Sequence, residues 1–174
     1  MRFVRFGPMV ILTMLLLSAS LMAQNDKMTY ASLASTKFGN LPVLPKCMTI
    51  AAQHGDPFKE AAAIAAKFTS GCVVPWHWHT VAENIILLSG KGKIEMKDGT
   101  SHAVSAGDYL YLPAKQAHQF TCTMACRMYD LPDGAFDIHY IDKDGTEIPP
   151  DQAFKSGTKA GSSNKASAKS PAKK

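Results

Sequence analysis

Gly71-Cys72-Val73-Val74-Pro75-Trp76-His77-Trp78-His79-Thr80-Val81-Ala82-Glu83 is the stretch on which the reading of this chain turns. His77 and His79 are two apart. On a strand, residues i and i+2 point to one face, so two imidazoles project side by side into the same space. Glu83 follows four residues later and can add a carboxylate from the same edge. His118 comes after the strand-like Tyr109-Leu110-Tyr111-Leu112 and can supply a third imidazole from a neighbouring strand. Three imidazoles and one carboxylate suit Fe, Mn, Ni, Zn or Co, and suit Ca or Mg poorly. Around a six-coordinate ion they leave two positions open, which distinguishes a reactive site from a closed structural one. Taken singly, the residues read more plainly: Glu83 as a solvated edge residue, His118 as a hydrogen-bonded core histidine.

Outward from this stretch the chain is punctuated by turns. His54-Gly55-Asp56-Pro57, Ser70-Gly71, Ser89-Gly90, Lys97-Asp98-Gly99, Ala106-Gly107-Asp108, Asp133-Gly134 and Lys143-Asp144-Gly145 separate short, mostly apolar runs. Frequent Gly and Asp turns between short runs indicate an all-β sandwich or barrel. Asp98-Gly99, between Lys93–Met96 and His102–Val104, marks a hairpin. Lys59 to Phe68 (KEAAAIAAKF) is alanine-rich and locally favours a helix as much as a strand.

These residues closely resemble the two motifs of the cupin superfamily. The first motif runs Gly, five residues, His-x-His, three or four residues, Glu, six residues, Gly, and Gly71, His77, His79, Glu83 and Gly90 fill it. In the second, Gly107, Pro113 and His118 match, while Lys115 replaces a glycine and Cys122 an asparagine. The resemblance covers residues 71 to 122. It implies a single-domain double-stranded β-helix, a barrel of jelly-roll type, with one divalent metal inside held by His77, His79, Glu83 and His118. Fe or Mn comes first, with Ni, Zn or Co also fitting. It also tips the alanine-rich segment toward a strand, and implies a homodimer paired through one sheet.

Strand parity then sets the lining. With His77 and His79 inward, Val73 and Pro75 follow them and Trp76 and Trp78 face out, against the N-terminal segment or a dimer partner. From Glu83, Ile85 and Leu87 face in; from His118, Phe120 and Cys122 do. The pocket is apolar around the metal. It favours a small organic ligand over a sugar phosphate, because Arg127 is the one arginine beyond residue 5. His54 and His102 lie near turns and read as exposed, and His139 as structural.

Both ends differ from the middle. Arg2 and Arg5 precede an apolar run from Met9 to Leu17, then small residues up to Ala23. That is the pattern of a signal peptide over residues 1–23, too short to span a bilayer. Residues 24–45 form a lead-in, 46–154 the barrel domain, and 155–174 a tail of Lys, Ala, Ser and Gly expected to be disordered. The net charge of +5 divides into +2 from the leader, +6 from the tail and −3 from the remainder, so the basic pI near 9.0 says nothing about the folded domain. No aromatic residue interleaves with the tail lysines, which argues against nucleic acid as a partner. The even cysteine number in an exported chain, periplasmic or extracellular, points to disulfides. A tight hairpin loop at Thr123-Met124-Ala125 would set Cys122 opposite Cys126, leaving Cys47 and Cys72 to pair or stay free. Two functions fit. One is a dioxygenase-like metal-dependent oxidoreductase on a small organic substrate, with Glu83 staying ligated or acting as base. The other is a non-catalytic ligand- or metal-binding module.

Overall fold

The computed structural model describes residues 27 to 160, so the leader and residues 161–174 lie outside it. Among the described residues there are eight strands: β1 (Met48–His54), β2 (Ala63–Phe68), β3 (Cys72–Trp78), β4 (Glu83–Met96), β5 (Ser101–Ser105), β6 (Tyr109–Leu112), β7 (His118–Pro132) and β8 (His139–Tyr140). One helix, α1 (Pro150–Ala160), follows them. All pairings between strands are antiparallel. The fold is the all-β jelly-roll barrel the sequence implies.

Two long strands organise it. β7 pairs with β2 through its second half, with β3 through its first half, and with β4 along nearly its whole length. β4 also takes β6 beside residues 83–86 and β5 beside residues 91–95. Each long strand therefore takes different partners along its two halves and bends where the ladder between them is irregular. The bend falls where the β4–β7 register shifts, between Leu87 and Gly92 on one side and Cys122 and Arg127 on the other. Gly90 sits there with φ of 84°, and a Cβ on it would come within 2.8 Å of the Cys126 Cα. Only glycine gives both the left-handed backbone and the close approach.

Inward-facing residues fill the barrel. Ile64, Ala66, Phe68, Val74, Leu87, Ile94, Phe120 and Met128 are all buried, and Phe68 meets Phe120 edge to face at 5.5 Å. The alanine-rich segment enters as β2 from Ala63, so its helical propensity gives way to pairing on both edges, with β1 and β7. The Asp98-Gly99 turn closes the β4–β5 hairpin.

Three expectations shift. The lead-in is partly built into the domain: Leu44 is 3% exposed and belongs to the core, Gly39 bridges Ile50, and the Tyr140 hydroxyl donates to the Val43 carbonyl. The tail boundary also moves, because α1 continues through Ala160 into the segment expected to be disordered. Pro150 suits the first helical position, where its missing N–H costs nothing, and Asp151 complements the positive end of the helix. Ala153 is fully buried and Phe154 packs edge-on against Tyr140 at 5.3 Å. Third, no hairpin loop separates Cys122 from Cys126. β7 is continuous, and a bulge draws the two Cα atoms to 6.2 Å, where four extended residues would span about 13 Å. The pair is disulfide-bonded within one strand, and Cys47 bonds to Cys72.

Gly90→Ala is expected to lose about 3 kcal/mol of stability, since a left-handed residue is driven into backbone. Gly99→Ala, also at positive φ but facing open space, should lose only about 1 kcal/mol. Denaturant unfolding of the two variants separates the effects.

Candidate metal centre

His77 comes from β3, His79 from the turn just after it, Glu83 from the first residue of β4 and His118 from the first residue of β7. All four side chains are buried, at 3–4% exposure. The three imidazoles each offer a nitrogen within 4.8 Å of the others and could hold a metal ion together. Ring centroids are 4.3 Å apart for His77 and His118, and 4.9 Å for His77 and His79. Glu83 Oε2 lies 3.2 Å from His79 Nε2 and 3.7 Å from His118 Nε2.

The ring orientations are set from behind. His77 Nδ1 contacts the Pro75 carbonyl at 2.6 Å, His118 Nδ1 the Gln116 carbonyl at 2.9 Å, and His79 Nδ1 the Asp137 carbonyl. A carbonyl can only accept, so each Nδ1 carries the hydrogen. Each Nε2 lone pair is then left facing its neighbours, the tautomer a ligand needs. Asp137 is itself fixed, because the Thr80 N–H donates to its Oδ1 at 2.8 Å.

Electrostatics keep the cluster neutral. Burial, then the nearby His118 and His79, holds His77 well below the ordinary histidine range. Burial and His118 bring His79 down to about 4, against the opposing pull of its bond to Asp137. Burial lowers His118 too. Glu83 moves the other way: burial first, then Asp130 beside it, raises it well above the usual carboxylate range. Glu83 and His79 therefore meet as neutral groups, although their distance would also fit an ion pair.

Asp130 was not foreseen. It lies on β7 opposite Ile85, so it is a diagonal neighbour of Glu83, which pairs with Pro132. Its carboxyl hydrogen-bonds Glu83, and burial raises it as well. A signal was present. Counting by twos from His118 through β7 reaches Asp130, and an acid on an inward face is costly.

The cavity over this cluster has about 50 Å³ open to the centre of a water molecule. Ile85 and Phe120 line it as expected, together with Leu44, Val74 and Met128. Val73 and Pro75 do not. A register shift between Val74 and His77 reverses the alternation, putting Val74 on the inner face. Val73 and Pro75 instead border an outer groove with Phe154 of α1. Leu87 shares the face of Ile85, but it packs in the core next to the strand bend and is not part of the cavity wall. Trp78 faces outward, stacked on His139 at 3.9 Å, and Trp76 receives the Lys97 ammonium at 4.8 Å. His139 lies between Asp137 and Glu147, outside the cavity wall, and His54 and His102 are exposed. Lys115, at the motif's glycine position, adopts φ of 62°, and its N–H donates to the His79 carbonyl at 2.8 Å.

Residues 66–132 match the family model described as Cupin domain. The barrel is a cupin. Among solved structures, the putative acetylacetone dioxygenase of Methylibium petroleiphilum is similar at 17% identity and a TM-score of 0.58, covering 74% of this chain and 90% of that one. The polyketide cyclase of Streptomyces resistomycificus is 18% identical with a TM-score of 0.57, over 68% and 90% of the two chains. An RmlC-like cupin from Shewanella frigidimarina is 15% identical with a TM-score of 0.53, over 69% and 97%. Curated protein sequences give no match. At these identities the likeness is one of cupin fold.

An ion that takes Glu83 as ligand must displace its proton, while the histidines are already neutral at pH 7. Loading is therefore expected to release a proton wherever Glu83 is still protonated, and affinity to rise with pH over that range. Titration calorimetry in two buffers of different ionisation heat measures the release. Glu83→Gln should abolish it.

Proposed function

We propose that this cupin is an exported, metal-dependent oxidoreductase of dioxygenase-like type acting on a small organic molecule. His77, His79, His118 and Glu83 hold the ion, with Fe or Mn preferred. The observation that carries this reading is the convergence of three neutral, pre-oriented Nε2 lone pairs beside a carboxyl at the base of an apolar cavity. Neutral imidazole and carboxylate together suit first-row transition metals. When bound, such an ion supplies Lewis acidity and, with Fe or Mn, one-electron chemistry.

The chain's own residues define the rest. Apolar side chains around the cluster exclude water and strengthen every polar contact inside. The carbonyls of Pro75, Gln116 and Asp137 fix the rings, so little reorganisation is needed when a ligand arrives. Glu83 can hold or release a proton at Oε2. The similarity to a putative acetylacetone dioxygenase supports the reading at the level of fold. Two disulfides support an oxidising compartment, and among the described residues no helix is long and apolar enough to cross a membrane.

A second reading is a non-catalytic binding module. It is favoured by the absence of any lysine or arginine from the cavity wall, which leaves no clamp for an anionic substrate.

Elemental mass spectrometry of untagged protein should find about one Fe or Mn per chain, falling below a tenth of that in His77→Ala and His118→Ala. Oxygen-electrode assays with enolisable diketones and phenols then separate the readings. Metal-dependent oxygen uptake supports the enzyme. Tight binding without uptake supports the module. Wild-type protein that takes no metal on reconstitution overturns the enzyme reading and leaves histidines that serve packing or direct ligand binding.

A further inference from the structure

Among the described residues, one buried side-chain polar atom has no hydrogen-bond partner, Asp130 Oδ1. Asp130 is 9% exposed and lies on the cavity wall beside Glu83. Burying an unpaired carboxyl oxygen costs stability, commonly by more than a hydrogen bond contributes. Such an oxygen is ordinarily met by a buried water or by a bound ligand.

The surroundings define what would satisfy it. Apart from the three histidines, Glu83 and Asp130, every residue of the cavity wall is apolar. Phe68, Val74, Ile94, Leu112 and Met128 offer the oxygen no donor. β2 and β4 flank Asp130 on either side, and the residues paired with it are Ile64 and Ile85, so the neighbouring side chains supply none either. Within the wall only Glu83 has a hydrogen to offer this carboxyl, and a carboxyl oxygen accepts more than one bond, so a further partner is a water or a ligand hydroxyl in the cavity.

We propose that Asp130 is a specificity-determining residue whose Oδ1 binds the hydroxyl of a small, neutral, otherwise apolar substrate, of the phenol or enol class. This rests on taking the histidine cluster as the working site. A hydroxyl is both donor and acceptor, so it can satisfy Oδ1 in either protonation state of the carboxyl. A hydrocarbon leaves the oxygen orphaned. A carboxylate would be buried as a charge in an apolar cavity with no lysine or arginine on the wall to offset it. Asp130 is therefore the element that selects a neutral hydroxyl compound over both.

The probes are phenol, its near-isostere toluene, and benzoate. Their binding is measured by ligand-observed NMR titration on metal-free and on metal-loaded protein. In the wild type, phenol should bind about tenfold more tightly than benzoate. The ratio of phenol to toluene affinity should fall about tenfold or more in Asp130→Leu. It should be largely retained in Asp130→Asn, which keeps both a donor and an acceptor. Asp130→Leu removes the unpaired oxygen together with the bond to Glu83, so thermal melting is used to verify that the variant is folded; if it does not fold, Asp130→Ala gives the same comparison.

An unchanged phenol-to-toluene ratio without the carboxyl overturns the proposal, as does failure of phenol to bind the wild type. Loss of metal in Asp130→Leu also overturns it, by making Asp130 a ligand. The underlying reading fails separately. Wild-type protein without metal sinks the metal site, while the ratio measured on metal-free protein still decides the role of Asp130.

Discussion

The antiparallel ladder between β4 and β7 is the constraint on which everything else depends. It runs from the Glu83–Pro132 pair to the Met96–His118 pair, so each end of the barrel receives residues from both strands. The same pairing brings Glu83 and Asp130 onto one inward face as diagonal neighbours. Because side chains alternate along a strand, slipping this ladder by one residue would put Glu83 on the opposite face from Asp130 and His118. The bend at Gly90 lets the two strands keep that pairing while taking different partners along their two halves.

A consequence of this packing is a cluster of five titratable groups buried with no countercharge. The chain accommodates them by neutrality: histidines pushed down, carboxyls pushed up. Neutral groups avoid most of the desolvation penalty that ions would meet. They also leave lone pairs aimed inward. A divalent ion would reverse the balance by favouring the carboxylate form of Glu83. The arrangement is thus poised between two electrostatic states, with the backbone carbonyls behind the rings common to both.

Much of this was legible in the sequence, and the reasons are local. His77, His79 and Glu83 sit within seven residues, and the turn signals fix where strands begin. The alanine-rich β2 became readable only through the family resemblance, since its own propensity points to a helix and long-range pairing decides against it. Val73 and Pro75 were misplaced because alternation was carried across an irregularity. Pro75 was itself the warning, since a proline cannot donate to a ladder and often marks a bulge. Helix α1 has few apolar residues to announce it, and its order comes from Ala153 and Phe154 packing on the barrel. Asp130 was missed because no motif contains it, although its parity with His118 was there to be counted.

The wide spacing of partners along the chain has a consequence for assembly. β2 finds β7 across 66 residues, as in the Ile64–Asp130 pair, and Glu83 meets Pro132 across 49. Loops of that size close slowly, and their closure entropy is not offset until the distant strand arrives. The His77–Glu83 segment can emerge early, but it has no third imidazole and no cavity until β7 has docked. Capture of an ion by this cluster would then follow folding, and the ions present where the last strand docks would weigh on which one is held, alongside the ligands themselves.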